Sequence, residues 1–136
     1  MPLAPLDLAI EQDTDWTNTY VVATPDTSTI PNPANMTYYN FAGWTFTFQV
    51  NEEDNVNSVG LLTLTVGSGI TITSGQIQGG PAPTANNAIQ VTITSAQSAA
   101  MPVGVWDYDL IGLSLSGLRT CILKGNFEVR NTNARP

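Results

Sequence analysis

Hydrophobic and polar residues alternate along most of this chain, which is the pattern of a β-strand with one face buried and one face in water. In the clearest segment, Trp44, Phe46, Phe48 and Val50 share one face, and polar side chains between them share the other. The same alternation, together with many Val, Ile, Thr and aromatic residues, predicts further strands. The predicted strands cover residues 6–11, 16–23, 43–50, 61–66, 69–73, 88–94, 103–115 and 118–130.

One short segment has helical character instead. Ser95–Ala100 has good helix formers, and Pro102 stops a helix there after about one turn. The dipeptide Ser116-Gly117 predicts a tight turn between the last two strands. Short strands at regular spacing, separated by turns, predict an all-β protein that is a β-sandwich or a small barrel.

The chain of 136 residues suits one domain over 1–136. Residues 24–43 contain three prolines and several Asn and Thr, and they are predicted to form a long loop. Residues 79–87 are rich in Gly and Pro and cannot form a central strand. Residues 51–58 are expected to form a polar turn, and residues 131–136 a loose tail.

The charge of the chain limits its partners. The formal net charge is −7, and the four basic residues are spaced singly towards the C-terminus. Nucleic acids and anionic membranes are bound by clusters of Lys and Arg, so we expect neither partner. The chain has no apolar stretch near the roughly 18 residues of a membrane span, and no signal-peptide pattern. We therefore expect a soluble protein made in a cytoplasm.

The sequence offers little catalytic chemistry. It has no histidine, and its one cysteine, Cys121, lies in an apolar run where a small buried side chain is usual. Asp107 and Asp109 project from one strand face, as paired glycosidase carboxylates would, but solvent-facing acids have the same spacing. We predict no catalytic residues and no cofactor.

Three acidic residues near the N-terminus raise the possibility of a calcium site. Glu11, Asp13 and Asp15 occupy alternate positions and could supply oxygen ligands. The expected loop glycine and a fourth acidic ligand are missing, so a solvated strand edge is the preferred interpretation. We predict no metal.

Tyr108 follows the predicted helical turn and the sequence Pro102-Val103-Gly104, near the start of a late strand. In immunoglobulin-like sandwiches, a tyrosine at this place donates its hydroxyl to the preceding corner. We predict that Tyr108 is such a structural tyrosine corner, with Trp106 and Leu110 on the same core-facing side.

Other aromatic residues are candidates for contact with a partner. Tyr38, Tyr39 and Phe41 end the long loop, where they could either anchor a protein partner or fold the loop down onto the sheet. Trp16 joins them as a candidate contact, because Trp44 and Trp106 fall in the core-facing register.

The order of several segments is distinctive. An opening segment, 6–12, is followed by Asn40 to Val50, then by Ile89 to Gly104, by Trp106 to Leu110 and by a closing Leu123 to Val129. This order resembles a family of small tailed-phage proteins with an immunoglobulin-like sandwich. It is also similar to the N-terminal domain of phage baseplate upper proteins.

The resemblance implies an immunoglobulin-like antiparallel β-sandwich of about eight strands, with the helical turn near 95–100. It also implies a non-enzymatic virion structural protein, expected to be an adaptor in the baseplate or tail-fibre region. Its partners would be other virion proteins in a symmetric, multi-copy assembly. Two alternatives remain open: a decoration protein that clamps capsid subunits, and a carbohydrate-binding module.

Overall fold

The computed structural model describes residues 6–24, 28–30, 32–52 and 60–131. The ten strands of these residues are β1 (Leu8–Glu11), β2 (Trp16–Val21), β3 (Ala23–Thr24), β4 (Thr37–Tyr38), β5 (Thr45–Asn51), β6 (Gly60–Val66), β7 (Gly69–Thr73), β8 (Ala88–Ile93), β9 (Gly104–Leu113) and β10 (Arg119–Arg130). Helix α1 covers Ser95–Ala100, and a 3-10 turn covers Pro33–Asn35. Most of the predicted polar turn at 51–58, and the predicted tail beyond residue 131, lie outside the described residues.

The eight longer strands form one continuous hydrogen-bonded sheet in the order β1-β10-β9-β5-β6-β7-β8-β2. The sheet folds back on itself, because Trp16 on β2, the last strand of this order, contacts Phe127 on β10, the second. Their ring centroids are 6.4 Å apart. The fold therefore has two layers: a five-stranded layer of β1, β10, β9, β5 and β6, and a three-stranded layer of β7, β8 and β2.

The strand order is that of an immunoglobulin domain. If β1, β2, β5, β6, β7, β8, β9 and β10 are lettered A, B, C, C′, D, E, F and G, the layers contain BED and GFCC′. Two strand pairs are parallel and not antiparallel as predicted: the first strand pairs with the last, with Leu8 opposite Phe127, and β6 pairs with β7, with Thr65 opposite Gly69. The predicted all-β, immunoglobulin-like sandwich with one short helix near 95–100 is confirmed.

The core lies between the two layers and follows the predicted alternation. On β5, Phe46, Phe48 and Val50 are buried, whereas Thr45 and Thr47 are exposed. Phe48 contacts both Tyr108 and Phe127, at ring-centroid distances of 5.4 and 6.1 Å. Strand β8 supplies the opposite wall, with Ala88, Ile89, Val91 and Ile93 all buried.

The chain changes layer between β6 and β7 within two residues. Gly67 and Gly69 both have positive φ angles, which favour glycine. A Cβ on Gly69 would also lie 2.7 Å from a methyl carbon of Leu64, so the crossing requires glycine at this position.

Helix α1 begins with a capping box: the Thr94 side chain accepts from the Gln97 N–H, and the Gln97 side chain accepts from the Thr94 N–H. The carboxylate of Asp15 accepts a further bond from the Ser95 N–H at 2.6 Å. These bonds hold the helix against the segment that joins β1 to β2. In the described part of the chain, no helix has the length and apolar character needed to cross a membrane.

Candidate functional site

The long connections meet at one end of the sandwich, which we call the loop end. Two backbone hydrogen bonds join the connection 22–44 to the connection 74–87. The Val22 N–H donates to the Asn87 carbonyl at 3.2 Å, and the Phe41 N–H donates to the Asn86 carbonyl at 2.7 Å. The β9–β10 hairpin, 114–118, lies beside them, because a Cβ on Gly43 would be only 2.8 Å from a methyl carbon of Leu115.

Of the three loop aromatics, Phe41 belongs to the core. Its side chain is 0% exposed and makes ring contacts with Tyr39, Trp44 and Phe46 at 5.6, 5.0 and 5.2 Å. The prediction of Phe41 as a partner contact is therefore wrong, and the alternative that this residue folds the loop onto the sheet is correct. Burial of a large apolar ring is the physical reason.

Tyr38 and Tyr39 are half-buried and have internal partners. The Tyr38 hydroxyl donates to the Pro81 carbonyl at 2.8 Å and accepts from the Ile77 N–H at 3.2 Å. The backbone N–H of Tyr39 donates to the Val22 carbonyl. Tyr38 thus joins the two long connections to each other, and Tyr39 bonds within the first connection. Because both rings are half-buried, only part of each ring is left for a partner.

A buried amide, which the sequence analysis did not single out, stabilises the same end. Asn87 is 0% exposed. Its Oδ1 accepts from the Gly75 N–H at 2.9 Å, and its Nδ2 donates to the Gly75 carbonyl at 2.8 Å. This pair of bonds imitates a strand pairing where no strand exists. Only the position of Asn87 just before an apolar strand could have signalled it.

The hairpin at the loop end presents apolar side chains to solvent. Leu115 and Leu118 are 80% and 66% exposed, and Leu113 is 41% exposed. The backbone beneath them is fixed by bonds between Ser114 and both Leu118 and Gly117, each at 3.0 Å. We call Leu113, Leu115 and Leu118 the hairpin tip. The sequence predicts the turn at Ser116-Gly117, but no pattern in it indicates that the leucines around the turn are exposed.

Trp16 lies at the opposite end, which we call the corner end, with residues 12–15, α1 and residues 101–104. It begins β2 opposite Ile93 and packs edge-on against Phe127. The structure therefore does not bring Trp16 together with Tyr38 and Tyr39, and its ring is only partly exposed. Trp44, which stacks on Phe46, is also partly buried.

The corner bond is made by Trp106 and not by Tyr108. The indole N–H of Trp106 donates to the Pro102 carbonyl at 3.0 Å, four residues upstream, and the ring covers Gly104. The predicted bond from Tyr108 to the preceding corner is therefore wrong. Tyr108 lies two residues further along β9 and points into the core, which puts its hydroxyl out of reach of that corner.

Tyr108 has a different structural partner. It is buried, and its hydroxyl donates to the carbonyl of Leu6, which precedes β1. Burial raises the pKa of Tyr108, and Tyr20 and Asp7 raise it further. The Tyr108 side chain therefore holds the segment just before β1 against the sheet.

The acidic residues have ordinary structural surroundings. Asp15 caps α1, and Asp107 and Asp109 lie on the outer face of β9, with Asn126 and Lys124 opposite them. Across the described ranges, no three His, Cys, Asp or Glu side chains are grouped so that they could hold a metal ion.

Comparison with known proteins identifies no family for this chain. No protein-family model matches this chain, and no curated protein matches its sequence. Among solved structures, murine CRIg is similar at 9% identity, over 95% of this chain and 94% of that one, with a TM-score of 0.32. A similarity that weak carries no argument, and it is the strand order of this chain that identifies the immunoglobulin-like fold.

Proposed function

We propose that this chain is a non-enzymatic structural protein of a phage virion, an adaptor in the baseplate or tail-fibre region. It binds a neighbouring virion protein through the hairpin tip. The observation that carries the proposal is the exposure of three leucines on one hairpin. Single exposed apolar residues are normal on protein surfaces, but neighbouring ones in a weakly charged protein favour a contact surface.

The hairpin tip is suited to binding because it is held in place before a partner arrives. The Ser114 hydroxyl accepts from the Leu118 N–H at 3.1 Å, and Gly117 adopts the positive φ that the turn needs. The Asn87 and Tyr38 bonds hold the adjacent connections. A preformed surface loses little conformational entropy on binding, so its apolar contact contributes more to affinity.

The virion location is supported by the resemblance of the motif order to small tailed-phage proteins. Immunogold labelling of intact particles, with antibody against the purified chain, tests it. Gold at the tail tip is the expected result. Gold over the head would favour a capsid decoration protein, and no gold, with the epitope accessible on dissociated particles, would overturn the virion assignment.

The hairpin tip is tested by replacing its two most exposed residues. Phage assembled with a Leu115→Ser/Leu118→Ser chain should incorporate much less of it than of the wild type, measured by quantitative blotting of purified particles. The matched control is Val103→Ser/Val105→Ser, which removes two apolar side chains of the corner end that are 54% and 60% exposed. Equal incorporation of both variants would contradict the proposed contact.

A further inference from the structure

The sheet has two edge strands, β1 and β2, and they differ in what discourages another chain from pairing with them. Each stands at one end of the strand order, so one long side of each pairs with no strand of the described residues. The backbone groups of such a side can bond to a strand of another molecule. Strand β1 is short, with four residues, and carries the charged Glu11, and both features discourage pairing. Strand β2 has six residues without a charge or a proline, and its register with β8 contains no bulge.

The bonds between β2 and β8 determine which backbone groups face the open side of β2. Just beyond β2, the Val22 N–H donates to the carbonyl of Asn87, which lies opposite it in the antiparallel register. Hydrogen-bonded and non-hydrogen-bonded pairs alternate along such a ladder. The hydroxyls of Thr17 and Thr92 are 3.1 Å apart, which agrees with a non-hydrogen-bonded pair, where side chains are closer. The residues that direct N–H and C=O away from β8 are therefore Thr17, Thr19 and Val21.

Asn18 covers the central group of this open side. It shares the inner face of β2 with Trp16 and Tyr20, which pack against the core, but Asn18 itself is exposed. Its Oδ1 accepts from the Thr19 N–H at 3.1 Å, and its Nδ2 donates to the Tyr20 hydroxyl at 3.2 Å. The amide therefore occupies the backbone donor that an added strand would need in the middle of β2.

We propose that the Asn18 side chain prevents strand addition at the open side of β2 and so keeps the edges of separate copies apart. An added strand must take the Thr19 N–H away from Asn18. The displaced amide then loses its bonds, and a polar group covered without partners costs free energy. An apolar side chain at position 18 leaves the Thr19 N–H open to a carbonyl of another copy. Because β2 has no charge, two such edges would pair without like-charge repulsion.

Sedimentation velocity of the purified chain, from about 10 μM to about 1 mM, tests the proposal. Asn18→Val should raise the self-association constant by about tenfold or more over that of the wild type. Thr19→Val is the matched control, because it places the same side chain on the next exposed position of β2 and leaves the Asn18 amide in place. It should associate like the wild type. An Asn18→Val variant that associates no more than the wild type, or a Thr19→Val variant that associates equally strongly, would overturn the proposal.

Amide hydrogen exchange of the wild type tests the same bond without any substitution. The Thr19 amide should exchange more slowly than the Thr17 amide, although both point to the open side, because only Thr19 donates to Asn18. Equal exchange rates would mean that Asn18 does not occupy this donor, and the proposal would fail.

Exchange in the associated Asn18→Val variant locates the contact between copies. The outward-facing amides of β2 should become protected, and adding Leu115→Ser/Leu118→Ser should leave the association unchanged. If those serines abolished it, the hairpin tip and not the β2 edge would be the contact, and this proposal would be overturned. The inference does not depend on the proposed virion function, since it concerns the purified chain in solution.

Discussion

The two ends of the sandwich use their side chains in different ways. At the corner end, polar and aromatic groups bond within the chain: Trp106 donates to Pro102, Asp15 accepts from Ser95, and Ser98 bonds the backbone of Thr14. At the loop end, the two long connections, which form its base, are also held by hydrogen bonds within the chain. Leu115 and Leu118, in contrast, are exposed to solvent beside this base.

This difference separates stability from recognition within one small fold. The corner end contains the turns from β1 to β2 and from β8 to β9, which pass between the layers, and its bonds fix those turns. The loop end contains the long connections, and in the described part of the chain the exposed leucines of the hairpin tip lie beside them. The comparison implies that substitutions at the base of the loop end change folding, whereas substitutions at its tip change only binding.

The largest expected effect tests whether the base of the loop end belongs to the core. Phe41→Ala should lower the free energy of unfolding by about 3–5 kcal/mol, because a fully buried ring leaves a cavity among Tyr39, Trp44 and Phe46. Denaturant titration followed by tryptophan fluorescence measures the loss. A loss below about 1 kcal/mol would mean that the ring is not part of the core.

The next effect concerns the buried amide. Asn87→Ala leaves the N–H and carbonyl of Gly75 without their partner, and should cost about 2–3 kcal/mol of unfolding free energy. Gln78→Ala, an exposed amide in the same connection, is the control and should cost under about 0.5 kcal/mol. Equal losses in the two variants would show that the Asn87 bonds contribute nothing specific.

A smaller effect is expected at the bond that holds the segment just before β1. Tyr108→Phe removes the hydroxyl that donates to Leu6 and should cost about 1 kcal/mol near neutral pH. Since burial raises the pKa of Tyr108 in the folded state, the unfolded chain loses this proton first as pH rises. The stabilisation is therefore complete below the ordinary tyrosine pKa of about 10 and is lost progressively above it.

The pH dependence is measured against the phenylalanine variant. The difference in unfolding free energy between wild type and Tyr108→Phe should shrink as pH rises above about 10, because only the wild type has this ionising group. Tyr20, whose pKa is also raised by burial, is present in both proteins, so the contribution of its own burial cancels. A difference that stayed constant would contradict a raised pKa at Tyr108.

The strands could be predicted from the sequence more fully than the contacts between them. Alternation on β5 predicted which of its side chains are buried, because the side-chain period of a strand is local information. The bond from Tyr108 to Leu6 spans 102 positions, and no local pattern carries it. The same applies to the parallel pairing of β1 with β10 and to the bonds of Asn87 with Gly75.

The candidate site was less predictable than the fold for a physical reason. An aromatic residue near the end of a loop has the same sequence pattern whether it faces solvent, as a partner contact would, or the core, as Phe41 does. Trp106 and Tyr108 lie on the same face of β9, so alternation could not decide which of them bonds to the corner. The two side chains differ in their distance from the corner, and that distance depends on tertiary structure.

The smallest expected effect on stability is at the hairpin tip, where the comparison is sharpest. Leu115→Ser/Leu118→Ser should change the free energy of unfolding by no more than about 0.5 kcal/mol, because both side chains are mostly in water in the folded and unfolded states. Thermal unfolding measures this change alongside the particle-incorporation assay. Loss of incorporation with unchanged stability would assign the tip to binding. A destabilisation as large as that of Asn87→Ala would instead mean that the leucines support the loop end itself, and the distinction between a structural base and a binding tip would fail.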